Sequence, residues 1–368
     1  MFMRKIRYTH SFLLLLILSA VLAVSGCSSN SSGSSASSEA PASTDSAEPA
    51  AAQASAQAST EPSVDLSGVT LRVGQVGWSE WEEGFKAAGL LDTPYKLEFS
   101  FFQGGNLELE AIAANQLDFA ITSEIPPIFA SQAANQGNFK IVGVQRWNTL
   151  LQELVIPKDS PIKSVAELKG KKVAYVQNTT SQYFLVKMLE AAGLTWKDIE
   201  PVKLTTAEGL TALVGGKVDA LASYSNSITA AHQNGATTLA SAKDILSGNF
   251  PVAVNNNAID DPAKHAAVTD FLERLTKYYE WTRANREQWA EITAEKTNQK
   301  KEDVLDTLTK GDEQRPLALQ AISDEAIASQ QDIADTFTSL GQLPGKIDVS
   351  AAWSHAFDKD IAGILEKK

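Results

Sequence analysis

Short apolar runs alternate with helical patterns beyond a polar N-terminal tract. Residues 71–76 and 117–122 form apolar runs of strand length, and residues 95–102 alternate between apolar and polar positions as a half-buried strand does. Leu109 and Ile112 then fall on one face of a helix. Strands that alternate with helices predict βαβ units and largely parallel sheets.

A second series of the same kind begins near Leu151. Residues 172–176 and 218–223 predict strands, and residues 181–194 predict a helix whose apolar stripe includes Phe184. Two such series, joined by an extended segment, indicate two α/β lobes.

The pattern changes after Pro262 to long helices. One of them has an apolar face formed by Val268, Phe271, Leu272, Leu275 and Tyr279. We expect these helices to cover the first lobe.

The first 27 residues have the order of a secretory signal. Arg4, Lys5 and Arg7 precede an apolar run over residues 12–24, and small residues lead to Cys27. The segment resembles a bacterial lipobox, in which the cysteine thiol receives a lipid and the chain is cut just before it. Because about 20 apolar residues are needed to span a membrane, a lipid anchor fits better than a spanning helix.

Residues 28–63 consist mostly of Ser, Ala, Glu, Gln, Thr and Pro, with almost no large apolar side chain. Such a segment cannot bury enough surface to offset its ordering entropy. We predict a flexible tether between the membrane and the folded body.

These patterns predict a division of the chain into consecutive parts. The parts are a signal peptide at 1–26, a lipid-anchored tether at 27–66, a first lobe at 67–152, a second lobe at 153–252, and a return to the first lobe with C-terminal helices at 253–368. Hinge closure around a ligand is expected about two crossover strands, near residues 153–156 and 251–256.

Charge and cysteine content exclude several classes of function. The chain carries 32 Lys and Arg against 44 Asp and Glu, with no long basic run, so nucleic acid is not expected as a partner. Cys27 is the only cysteine, and the histidines at 10, 232, 265 and 355 are scattered. We therefore expect no metal site and no cofactor. Without a nucleophile–base pair, the chain is not expected to be an enzyme.

Four short motifs stand in a fixed order along the chain. Residues 107–120 are similar to an "EAL..G.iD.g" segment, residues 123–130 to "GDiPPiFA", residues 160–174 to the start of a second lobe, and residues 216–220 to a "G.vDA" strand. The ordered series resembles the solute-binding proteins of ABC importers, in the aliphatic sulfonate, nitrate and taurine group.

The resemblance implies a two-lobe α/β fold of the type II periplasmic-binding-protein kind, with a helical C-terminal extension on the first lobe. It also implies a lipoprotein on the extracytoplasmic face of the cell membrane that passes a small organic anion to an ABC permease and its ATPase. We expect a monomer that binds an aliphatic sulfonate. Nitrate, taurine, a heterocycle like a thiamine precursor, and an enzyme on the same fold are the alternatives.

The candidate site lies where strands end and helices begin. In open α/β sheets ligands bind beyond the carboxyl ends of the strands, and helix starts offer unpaired N–H groups and partial positive charge to an anion. Four turns of this chain place glycine, hydroxyl or amide residues at such positions. The ligand-binding candidates in them are Gln103, Gly104, Gly105, Asn106, Thr122, Ser123, Glu124, Thr179, Thr180, Ser181, Tyr183, Tyr224 and Asn226.

The turn with Thr179, Thr180 and Ser181 is the preferred oxyanion site, because three hydroxyl groups exceed the needs of one helix cap. The resembling family places its anion at the same turn. Helix capping remains an alternative role for the polar residues of all four turns, including Thr180 and Ser181. Trp78 and Trp147 each follow a predicted strand and would supply apolar walls.

Glu124 is the odd member of the candidate site, because a carboxylate repels an anion. It either turns away, pairs with a cation, or binds an ammonium group of a zwitterionic ligand. Together with the tryptophans it keeps a cationic heterocycle open as the ligand. Trp281 and Trp289, on the C-terminal helices, are expected only to pack.

Overall fold

Two mixed β-sheets organise the part of the chain that the computed structural model describes, residues 64–367. The predicted signal, the lipid attachment at Cys27 and all but the end of the predicted tether lie outside the described residues. Within 64–367, no helix is both long enough and apolar enough to cross a membrane.

The first sheet has six strands. In order across the sheet they are β2 (Lys96–Phe102), β1 (Thr70–Val76), β3 (Phe119–Ile121), β10 (Asn249–Asn255), β4 (Phe139–Arg146) and β11 (Ala318–Gln320). β1 is parallel to both β2 and β3. β10 runs antiparallel to β3 and β4, and β11 closes the edge antiparallel to β4.

The second sheet has five strands. In order they are β7 (Glu200–Lys203), β6 (Lys172–Tyr175), β8 (Ala220–Tyr224), β5 (Gln152–Ile156) and β9 (Thr237–Ser241). β6 is parallel to β7 and β8, whereas β5 is antiparallel to β8 and β9. Both sheets are therefore mixed, where the sequence predicted largely parallel ones.

The mixed character arises because the chain changes sheets twice. It enters the second sheet on β5 and returns to the first on β10, and each of these strands is antiparallel to both neighbours. The predicted lobe boundaries after residues 152 and 252 fall inside these two strands. The short edge strands β9 and β11 are absent from the sequence prediction.

Two segments connect the sheets. They are residues 147–151, the first crossover segment, and residues 242–248, the second crossover segment. The predicted hinge segments, 153–156 and 251–256, lie almost wholly within β5 and β10, the two strands on which the chain changes sheets, and the hinge motion itself stays a prediction. Their apolar side chains are buried in the sheets.

Helices follow most strands of the two sheets. They are α1 (Glu80–Ala88), α2 (Gly105–Ala113), α3 (Ile125–Ala130), α4 (Thr180–Ala191), α5 (Thr206–Val214), α6 (Asn226–Gln233), α7 (Asn256–Asp260), α8 (Pro262–Ala284), α9 (Arg286–Thr297), α10 (Lys301–Gln314), α11 (Asp324–Ser339) and α12 (Asp358–Glu366). Pro126 and Pro127 lie in the first turn of α3, where the fixed φ of proline suits the helix.

α8 packs its apolar face on the first sheet. The predicted face of this helix is buried, with every member at most 2% exposed. Tyr278 packs so closely on α1 that a Cβ at Gly84 would lie 2.2 Å from its ring. Only glycine leaves room for this contact, which brings α8 and α1 together beside the strand ends.

α11 is an exception to the expectation that the C-terminal helices cover the first lobe. Ile333 and Phe337 of α11 belong to the same apolar cluster as Phe184 of α4 in the second lobe. The C-terminal part of the chain therefore packs against both lobes.

Candidate functional site

A cavity of 230 Å³ lies between the two sheets, where β1, β3, β4 and β8 end and β5 and β10 begin. Because β5 and β10 are antiparallel to their neighbours, their first residues face the last residues of those strands. Gln152 is paired with Tyr224, and Phe250 is paired with Gln145. All four line the cavity, which therefore occupies the position expected of a ligand site in an α/β sheet.

The structure brings about half of the sequence-predicted site residues together around this cavity. They come from the starts of α2 and α4, the turn before α3, the end of β8 and the first crossover segment. These residues are Gly105, Thr122, Ser123, Trp147, Thr179, Thr180 and Tyr224. Each of the four predicted turns therefore contributes at least one residue to the lining.

The hydroxyl groups at the start of α4 are committed to acceptors within the protein. Thr179 donates to a carbonyl of the preceding turn at 2.8 Å, Thr180 to Oε1 of Gln152 at 2.7 Å, and Ser181 to the carbonyl of Ala222 at 2.7 Å. Since a hydroxyl has one hydrogen to donate, the predicted donation from these side chains to an oxyanion does not fit this geometry. The backbone N–H groups of Thr180 and Ser181 have no acceptor among residues 64–367.

Ser181 and Tyr183 lie in the interior of the second lobe and do not line the cavity. Ser181 is 0% exposed, and its Oγ also accepts the N–H of Val176 at 2.9 Å. The Tyr183 ring packs 6.0 Å from that of Phe337 on α11. Both side chains point into the lobe because this face of α4 forms part of its core.

Gln103, Gly104, Asn106 and Asn226 also lie outside the cavity lining. Gln103 instead accepts a hydrogen bond from Thr206 of the second lobe at 3.1 Å. A Cβ at Gly104 would lie 2.7 Å from Oδ1 of Asn106. Asn226 is the first residue of α6, and its side chain is directed toward the loop after β1.

The two tryptophans at the α1–α9 contact exchange their predicted roles. Trp78, a predicted wall, stacks on Trp289 at 5.7 Å between ring centroids and is not part of the lining. Trp289, expected only to pack, does line the cavity. The distant helix α9 reaches the strand ends, which periodicity within one helix cannot reveal.

Glu124 turns away from the cavity. Its carboxylate accepts hydrogen bonds from the Ser247 hydroxyl and, at 3.2 Å, from Nδ2 of Asn249. Burial raises the pKa of Glu124, and the hydrogen bonds from Ser247 and Asn249 oppose that rise. Of the roles considered for this residue, the structure supports the first, because its partners belong to the second crossover segment and the start of β10.

The C-terminal helices contribute a part of the cavity that the sequence did not reveal. Arg283, Arg286, Leu308 and Asp312 all line it. Arg286 forms an ion pair with Asp312, and Arg283 donates to a backbone carbonyl at 2.7 Å. The three charged residues among them carried no local signal, because charged residues on a helix are usually exposed.

Three glutamines at strand ends were also missed, although they did leave a signal. Gln75, Gln145 and Gln152 are each at most 9% exposed and line the cavity. An amide side chain within a buried apolar strand needs a partner. A glutamine at such a position is therefore a sequence marker for a polar site.

Glu80 adds a carboxyl group to the cavity lining at the start of α1. Burial raises the pKa of Glu80 to about 7, although the hydroxyl of Tyr278 donates to it at 3.1 Å. Near neutral pH this group therefore exists in both protonation states, and the protonated form can donate a hydrogen bond.

Two fully buried side-chain polar atoms at the cavity have no hydrogen-bond partner among residues 64–367. They are Nε2 of Gln75 and the hydroxyl of Tyr224. Oε1 of the same Gln75 accepts the backbone N–H of Trp81 at 2.6 Å, which fixes the amide orientation. An unpaired buried polar group is unfavourable, so both atoms are suited to binding a polar ligand group. Within the same residues, no group of three or more His, Cys, Asp or Glu side chains is arranged to hold a metal ion.

The model of the NMT1/THI5-like family matches residues 85–288, more than half of the chain. The chain belongs to this family. A protein of Escherichia coli (strain K12) that is named an aliphatic sulfonates-binding protein is 31% identical over 269 residues, which cover 72% of this chain and 82% of that protein.

Two solved structures extend the comparison to the fold. The periplasmic aliphatic sulphonate binding protein SsuA from Escherichia coli has a TM-score of 0.63 at 30% identity, covering 77% of this chain and 92% of that one. The alkanesulfonate-binding protein SsuA from Xanthomonas axonopodis pv. citri, bound to MOPS, has a TM-score of 0.70 at 25% identity, covering 79% and 99%. The predicted two-lobe binding-protein fold is confirmed. These relatives are named as binding proteins, which also confirms the predicted class over an enzyme.

Proposed function

We propose that the chain is the extracytoplasmic solute-binding component of an ABC importer, and that it binds an organic sulfonate between its two sheets. The observation that carries this proposal is the 230 Å³ cavity at the strand ends, lined from both sheets by helix starts and strand-end amides. The naming of the relatives as sulfonate-binding proteins supports the choice of ligand.

The sulfonate group is proposed to lie at the starts of α2 and α4. Gly105 and Thr180 begin these helices and line the cavity. Their first-turn N–H groups and the helix dipoles favour an anion without a cationic side chain. Gln75, Gln152 and Tyr224 are proposed to bind the same ligand with their side chains.

Contacts between the two lobes outside the cavity lining support a closing motion. Thr206 of the second lobe donates to Gln103, and Nε2 of Gln233 donates to the carbonyl of Asn298 at 3.1 Å. The crossover segments 147–151 and 242–248 would provide the hinge. A ligand that contacts both lobes would stabilise this closed arrangement.

The proposed cellular setting is a monomer anchored through a lipid on Cys27, delivering its ligand to a permease and its ATPase. The lipobox-like sequence before Cys27 supports the anchor. Mass spectrometry of the membrane fraction tests it, since a Cys27 without lipid in the mature protein would contradict the anchor. The Cys27→Ala variant should lack the lipid-bearing N-terminal peptide.

A ligand screen by thermal unfolding tests the proposed function. The panel contains ethanesulfonate, octanesulfonate, nitrate, a sulfate ester and a thiamine precursor. A ligand present at about 100 times its dissociation constant stabilises the folded protein by about 2.7 kcal/mol. We expect sulfonates to raise the melting temperature most, and the proposal fails if none of them does.

The position of Glu80 favours a second candidate ligand, a cationic heterocycle. Its carboxyl group lines the cavity together with the aromatic side chains of Trp81 and Trp289. A carboxylate beside aromatic rings suits an aromatic cation. In the same screen, stabilisation by the thiamine precursor and by no sulfonate would select this candidate.

A further inference from the structure

Apolar side chains form part of the cavity lining, here called the apolar section. Trp147, Phe250, Leu308 and Leu317 line this section, and each is partly exposed. They come from four separate parts of the chain: the first crossover segment, the start of β10, α10 and the loop before β11. None of these side chains is needed to bind an oxyanion.

The walls of this apolar section are held in place by aromatic contacts. The ring of Trp147 lies 6.0 Å from that of Phe250. Trp289 is stacked on Trp78 and meets the edge of Tyr278 at 5.5 Å. A binding surface whose side chains are already packed loses little conformational entropy when a ligand arrives.

The charged side chains near the apolar section already have partners within the protein. Arg286 is paired with Asp312, and Arg283 donates to the carbonyl of Leu317. The section therefore offers a ligand mainly apolar surface, and a second anionic group would have to compete with existing partners.

The size of the cavity indicates a ligand larger than a short alkanesulfonate. One water molecule needs about 10–15 Å³ of such a volume, so 230 Å³ holds roughly fifteen or more water-sized positions. Ethanesulfonate would leave most of this space, including the apolar walls, in contact with water. Filling the space with apolar groups removes that surface from water and strengthens binding.

We infer that the ligand is a sulfonate with an aromatic or similarly bulky apolar body, and that Phe250 and Leu308 determine this specificity. This inference rests on the proposed function, because it assigns the sulfonate group to the helix starts. The apolar body then extends between Trp147, Phe250 and Leu308 toward the C-terminal helices.

Isothermal titration of the full chain with naphthalenesulfonate and ethanesulfonate tests the inference. We expect naphthalenesulfonate to bind at least ten-fold more tightly than ethanesulfonate. Leu308→Ala should weaken naphthalenesulfonate binding about ten-fold and leave ethanesulfonate binding unchanged. Leu305→Ala is the matched control, because Leu305 is a half-buried leucine of the same helix that does not line the cavity.

A second variant at the same position keeps the test informative if Leu308→Ala fails to fold. Leu308→Trp fills the section and should also exclude naphthalenesulfonate while ethanesulfonate still binds. Equal binding of the two sulfonates by the parent protein would overturn the inference and leave the proposed function standing. If the parent binds neither sulfonate, the proposed function and this inference both fail.

Discussion

The Thr180 hydroxyl donates a hydrogen bond to Oε1 of Gln152 at 2.7 Å, and both side chains line the cavity. The bond joins α4 to the first residue of β5. The bond holds Oε1 toward Thr180, which leaves the Nε2 group, the donor of the amide, to bind a ligand. Thr180 therefore positions Gln152, in addition to any contact of its own backbone with the anion.

The first prediction concerns this pair. Thr180→Val keeps the shape of the side chain and removes the donor, so it should weaken sulfonate binding about ten-fold, equivalent to ~1.4 kcal/mol. Gln152→Ala should have a similar effect, and the double variant should lose little more, because the two residues act through one hydrogen bond. Isothermal titration measures all three. Additive losses would show that Thr180 acts on the ligand independently of Gln152.

The second prediction separates stability from binding at Ser181. Ser181→Ala removes a buried hydroxyl that bonds to both Ala222 and Val176, so it should lower the free energy of unfolding by about 1–3 kcal/mol. The folded fraction should bind sulfonate with unchanged affinity. Denaturant unfolding beside titration checks this, with exposed Ser100→Ala as the control. A ten-fold loss of sulfonate affinity would show that Ser181 takes part in ligand binding.

The third prediction tests the orientation of Glu124. Glu124→Gln places an amide against the donors of Ser247 and Asn249, so the free energy of unfolding should fall by about 1–3 kcal/mol. The affinity ratio of taurine to ethanesulfonate should not change, because Glu124 does not face the cavity. Glu200→Gln, at an exposed position, is the control. A selective loss of taurine binding would contradict this assignment.

The fourth prediction follows from the raised pKa of Glu80. Since its folded-state pKa of about 7 exceeds the ordinary 4.5, the folded protein binds more protons than the unfolded chain between these pH values. Its contribution to the free energy of unfolding therefore falls as pH rises through this window, by at most about 1.4 kcal/mol per pH unit. Glu80→Gln should remove this dependence. Parallel pH profiles for the two proteins would contradict it.

The sequence predicted the elements of the fold better than their connections. The apolar faces of α8 and α4 depend on local periodicity, which a sequence carries directly. The direction of β5 and β10 depends on which strands they pair with, and those partners are distant in the chain. The sequence therefore did not reveal that both sheets are mixed.

The candidate site shows the same limit. Glycine and hydroxyl residues at strand ends identified Gly105, Thr122 and Thr180 as lining residues, because parallel strands end at a common edge. The sequence could not show that Ser181 points into the lobe, since this depends on the position of Ala222 on another strand. Arg283 reaches the cavity only through the packing of a long helix.

A crystal structure of the full chain grown with octanesulfonate is the most direct test of the central claim. We predict that the ligand lies in the cavity between the two sheets, with its sulfonate oxygens within hydrogen-bonding distance of first-turn N–H groups of α2 and α4. Its alkyl chain should extend toward Phe250 and Leu308. A sulfonate group bound instead to Arg283, or a ligand outside the cavity, would contradict the account.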